Sequence, residues 1–97
     1  MLHLLSLSPL QAAVIERIGH GDDVALVDSA VCAALAGHQD NQLLQQLLAN
    51  ACRVYALQEM LLAHGIESQR LLVGVEPIDY AGLVELTVKN PVIHSWC

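Results

Sequence analysis

The sequence predicts an α/β fold: an open, mostly parallel sheet with helices on both faces. Three observations predict it. Strand-like apolar runs alternate with helix-like stretches along the chain, which is the order of crossover-connected parallel strands. The strand-like runs are apolar throughout rather than every second residue, as burial on both faces requires. The chain has 97 residues, the length of one domain, and it contains no internal repeat, linker or low-complexity segment.

"LHLLSL", Leu2 to Leu7, is the first strand. In "SPLQ", Ser8 suits an N-cap, Pro9 the first helical position and Gln11 the third, completing a capping box. The helix is expected to reach about Ile18, with Gly19 ending it. "GHGDD" is a turn, and "VALVD", Val24 to Asp28, is a second strand. Ser29 then caps a short helix through Ala36, stopped by Gly37. Behind the possible cap Asp40, Leu43, Leu44, Leu47 and Leu48 recur at helical spacing. "RVYAL", Arg53 to Leu57, is a third strand, and "QEMLLAHG" is a short helix ending at Gly65. "LLVGV", Leu71 to Val75, is the fourth strand candidate, interrupted by Glu76–Pro77. Asp79 caps a helix from Tyr80 to Lys89, on which Tyr80, Leu83, Val84 and Val88 lie on or near one face. Asn90–Pro91 stops it, and "VIHSW" is a last strand that Trp96 anchors against the sheet.

The composition narrows the function. The chain is 55% hydrophobic and 14% charged, with mean hydropathy +0.48, too apolar for disorder. So much aliphatic surface exceeds what a small domain can bury. The surplus predicts an interface, and therefore an oligomer. No run of about 18 apolar residues is present, so no membrane-crossing helix is expected. The N-terminus lacks a basic region and is read as part of the fold, not as a leader. The net charge is −6, and the four basic residues, Arg17, Arg53, Arg70 and Lys89, are scattered. Nucleic-acid binding needs them clustered, so none is expected from this chain alone. The three cysteines, Cys32, Cys52 and Cys97, are odd in number and lack CxxC spacing. That argues against a disulfide framework, a zinc site and a thioredoxin motif, and for a reducing cytosol. No cofactor or metal is expected.

Cys32 is the candidate for sulfur chemistry. If Ser29 caps the second helix, Cys32 lies in its first turn, where free N–H groups favour thiolate. The position also follows the C-terminal end of a strand, where open α/β sheets place their sites. A thiolate there could accept sulfur as a persulfide. Against this, Val31, Ala33 and Ala34 make an apolar surround, and no Lys or Arg stands within six positions. Packing is the favoured role. Cys52 starts an inner strand and should be inert, whereas Cys97, the last residue, is expected to be exposed to reagents without belonging to an organised site. His3, His20, His38, His64 and His94 show no metal-ligand spacing. His20, His38 and His64 stand near glycines at helix ends or turns, where a cationic ring complements the helix C-terminus. Asp22–Asp23 precedes a strand and reads as turn chemistry. No glycine-rich phosphate loop follows the first strand.

"IDYAGLVELTVKNPVIHSW", Ile78 to Trp96, with "MLHLLSLSP" at the start and "RVYAL" in the middle, resembles the TusB/DsrH family over nearly the whole chain. The resemblance implies a DsrE-like three-layer α/β/α fold around a five-stranded sheet. It implies assembly with TusC-like and TusD-like sisters into a cytoplasmic heterohexamer that relays sulfur towards 2-thiolation of the tRNA wobble uridine. In that complex the sulfur-carrying cysteine belongs to the TusD-type sister. DsrH-branch proteins carry a cysteine in the first helix. Pro9 to Gly19 has none, which favours the TusB branch. The chain departs from the family's Asp-Gly after the second strand, having Asp28–Ser29, and the family requires no cysteine at position 32. The resemblance thus implies an assembly subunit without its own catalytic residue. The alternative is a DsrH-like sulfur-trafficking subunit, or a sulfurtransferase carrying persulfide on Cys32. Alone, the chain is expected to form a homo-oligomer or to aggregate.

Overall fold

The computed structural model describes residues 1–96; Cys97 lies outside the described residues. Five strands, β1 (Leu2–Leu5), β2 (Asp23–Leu26), β3 (Arg53–Leu57), β4 (Val75–Ile78) and β5 (Ile93–Trp96), form one sheet in the order β4-β3-β2-β1-β5. Every neighbouring pair is parallel. The helices are α1 (Ala12–Glu16), α2 (Asn41–Ala49), α3 (Gln58–Ala63) and α4 (Tyr80–Lys89), with 3-10 helices at Asp28–Ala34 and Ser68–Arg70.

The strand order explains the layers. From β1 to β4 each connection steps the same way across the sheet, and right-handed crossovers then all pack on one face. There Leu5, Val24, Leu26 and Val54 meet Ile15 of α1, Leu44 and Leu47 of α2, and Leu61 of α3. The last connection runs back past β1, so the same handedness puts α4 on the other face. Leu83 and Leu86 of α4 pack there against Leu2, Leu4, Ala25, Tyr55 and Ile78. One face therefore carries three α-helices and the other carries one.

Several boundaries differ from the sequence expectation, each for a local reason. α1 starts at Ala12 behind an extended Gln11, not at Pro9, and no side chain caps it. The Leu10 N–H instead reaches across to the carboxylate of Asp40 at 2.9 Å. Asp40 does precede α2, but its side chain makes no cap there because Leu10 takes it. Ser29 caps nothing either: its hydroxyl donates to the Ser6 carbonyl at 3.1 Å, and the segment is a 3-10 helix that begins at Asp28. The fourth strand is Val75–Ile78, not Leu71–Val75. Leu71 is drawn away by an antiparallel bridge to Leu35, supported by Leu72 N–H to the Ala34 carbonyl at 2.8 Å. Pro77 is tolerated inside β4 because β4 is an edge strand, where a missing N–H need not face a neighbour. On α4, Leu83 turns towards the sheet while Tyr80, Val84 and Val88 turn outward.

Candidate functional site

Cys32 lies fifth in the 3-10 helix Asp28–Ala34, past its first turn. The expected placement at a helix N-terminus is therefore corrected, and the free N–H groups that would favour thiolate are not beside it. The tertiary fold supplies something sequence spacing did not. His64, the C-cap residue of α3, brings its Nδ1 to 3.7 Å from the Cys32 sulfur. The thiol is half-buried against the main core, and the imidazole is exposed. A thiol beside an imidazole is the minimum arrangement for base-assisted nucleophilic chemistry.

A second feature sits at the C-terminal ends of β1 and β5. A small cavity of about 60 Å³ opens between Leu5, Leu10, Val14, Ile15 and Trp96. Beside it three aromatic rings converge. His94 stacks on Trp96 with centroids 4.0 Å apart, and His3 lies 6.3 Å from Trp96. Trp96 Nε1 donates to His3 Nδ1 at 3.1 Å, and His3 Nε2 meets Asp22 Oδ2 at 2.9 Å. His3 itself is 2% exposed. Partial burial works against the Asp22 carboxylate. The hydrogen bonds from His3 and from the Gly19 N–H, with the charge of the Met1 amine, outweigh it and hold the carboxyl below its usual range.

A third feature is a surface. Tyr80, Val84 and Val88 recur every fourth residue along the outside of α4, and Val88 is 81% exposed. Val92, beyond the end of α4, and Ile93 on the edge strand β5 are exposed as well. Large apolar side chains gathered in this way mark an interaction face.

The chain matches the family described as DsrH like protein over residues 8–92. It is 38% identical over 99 residues to protein TusB of Shigella flexneri, covering 99% of this chain and 100% of that one. The chain belongs to the DsrH-like family. TusB of Escherichia coli O1:K1 is 37% identical over the same extent. Among solved structures, the ychN protein of E. coli superposes with a TM-score of 0.78 at 18% identity, covering 98% of this chain and 97% of that one. Protein MTH1491 of Methanobacterium thermoautotrophicum, of unknown function, gives 0.77 at 13% identity, covering 98% and 96%. At such identities the two structures share the fold alone.

Cys52 is buried, its thiol donates to the Gly19 carbonyl at 3.3 Å, and burial pushes its pKa up. Cys97 lies outside the described residues. His38 accepts from the Asp40 N–H through Nδ1 at 3.0 Å within its own turn. Asp22 and Asp23 are more than turn residues. Asp23 is the first residue of β2, nearly fully buried, and receives Asn90 Nδ2 at 3.0 Å and Lys89 Nζ at 3.4 Å. No three metal-ligating side chains converge among the described residues. Sequence reasoning missed the Cys32–His64 contact and the His3 cluster. The partners are separated by 32 residues in the first and by 19 and 93 in the second, so no local spacing announces them.

Proposed function

We propose that this chain is a TusB-type subunit of a TusBCD-like sulfur-relay complex that supports 2-thiolation of the tRNA wobble uridine in the cytoplasm. Residues 1–97 form its single domain, and its contribution is assembly rather than catalysis. The apolar stripe of Tyr80, Val84 and Val88, with the exposed Val92 and Ile93, carries the reading. Similarity to TusB over the full chain supports it. The stripe is the face for a TusC-like or TusD-like sister. Co-expression with both sisters tests it. The unsubstituted chain should elute as one defined heteromer, and Val88→Asp should leave it out of that heteromer while still folded. A chain that ignores both sisters would overturn the proposal.

The Cys32–His64 contact favours a second reading, in which this subunit itself carries sulfur. The Cys32 thiolate would attack the outer sulfur of a donor persulfide, forming a new S–S bond as the donor's S–S bond breaks. The donor leaves as a thiolate, and His64 returns to it the proton taken from Cys32. No oxidant is consumed. Measuring tRNA thiolation in cells carrying Cys32→Ser separates the readings. Retained thiolation fits the assembly role, and loss with an intact complex fits the carrier role.

A further inference from the structure

Both nitrogens of the buried His3 ring are engaged, and their partners leave one arrangement of protons. An indole N–H can only donate. The Trp96 bond therefore requires a bare Nδ1 on His3. Asp22, whose carboxyl is held below its usual range, accepts from Nε2, which carries the proton. We propose that His3 is a proton-operated latch on the end of β5. The neutral Nε2–H ring holds Trp96, and a proton added to Nδ1 sets two donors against each other and releases the indole.

The surroundings make the two contacts respond in opposite ways. Asp22, from the turn before β2, holds the Nε2–H at 2.9 Å and itself faces the Met1 amine 3.5 Å from its Oδ1. From β5, His94 lies 6.3 Å from the His3 ring. Val24 of β2, in register with His3, is uncharged, and Glu16 at the end of α1 and Arg17 just after it are exposed. A proton thus strengthens the Asp22 contact and cancels the Trp96 one. Trp96 is a wall of the cavity at the strand ends, and its carbonyl receives the Ser6 hydroxyl at 3.2 Å. Releasing the indole opens that cavity, while the pairing with β1 and the Ser6 hydroxyl still hold the Trp96 backbone. This inference is independent of the sulfur-relay reading.

Trp96 is the single tryptophan, so its emission reports the latch directly. His94 also stacks on the indole, and the titration is therefore run on the full chain with His94→Asn. Between about pH 8 and pH 5, the range in which imidazoles change charge, the emission should shift to the red on acidification. Adding His3→Gln should abolish the shift, because the amide offers Trp96 an acceptor and Asp22 a donor with no proton to gain. Nitrogen-15 NMR of the unsubstituted chain gives a second readout that does not depend on the variant folding. At pH 8 it should find Nε2 protonated and Nδ1 bare, and acidification should move the His3 and Trp96 indole signals together. A protonated Nδ1 at pH 8, a His3 that does not titrate in this range, indole signals that stay fixed while His3 titrates, or a red shift that survives His3→Gln would overturn the latch.

Discussion

Asp22 collects donors from three separate places: His3 on β1, the Gly19 N–H three residues back, and the Met1 amine. Each of them prefers an ionised carboxylate, and together they hold its folded-state pKa below the unfolded value despite partial burial. A carboxylate lowered in this way stabilises the fold fully above its unfolded pKa, about 3.9. That contribution fades as pH falls through the unfolded value and is gone below the lower folded one. Asp22→Asn should therefore cost stability at pH 7 and flatten the acid limb of the profile below about pH 4. Urea midpoints measured from pH 7 down to pH 2.5 check this. A profile parallel to that of the unsubstituted chain would contradict it.

Two elements depend on one residue at their entry. The Asp79 carboxylate accepts from the Gly82 N–H at 2.8 Å and caps α4, the one helix here with a side-chain cap among the described residues. Asp79→Ala should cost about 1 kcal/mol in urea unfolding, and Asp79→Ser should recover most of it. At the entry to β4, Gly74 has φ +102, and a Cβ there would lie 2.8 Å from Leu48 Cδ1. Gly74→Ala meets both a left-handed backbone and α2. It should destabilise by more than about 1 kcal/mol, whereas Ala at the open position of Gly21 meets only its φ of +77. Comparing the two variants separates the steric cost from the backbone cost.

At the scale of the molecule, the uneven cover of the sheet is the dominant fact. Three helices seal one face, whereas the single helix α4 on the other turns valines outward. The edge strand β5 adds Ile93 at its margin, with neither proline nor fixed charge to blunt it. An association through this surface is driven by apolar burial, on the order of 800 Å² from each partner for an interface of standard size. It should hold between low and high salt, because screening acts on charges. Light scattering across salt concentrations measures this for the isolated chain and for the chain mixed with the proposed TusC-like and TusD-like partners. Val84→Asp together with Val88→Asp should shift both samples to smaller species while circular dichroism stays unchanged.

Alternating apolar runs and turn residues were enough to place β1, β2, β3, β5, α2, α3 and α4, because burial on both faces and helical periodicity are written locally. Asp79 was legible as a cap for the same reason. The aliphatic surplus in the composition foretold an exposed apolar face, and the motif in the tail foretold the family. Which valines form that face was decided by the reversal of strand order that sends α4 to the thinly covered side. β4 was misplaced because the bridge from Leu71 to Leu35 outweighs the local apolar run, and the caps at Ser29 and Asp40 were lost to partners distant in sequence. The same holds for chemistry. The sequence by itself determined which residues carry sulfur, imidazole and carboxylate. Only the tertiary structure decided that Cys32 meets His64 and that His3 is held between Asp22 and Trp96, because those contacts depend on the parallel register and crossovers that bring distant segments together.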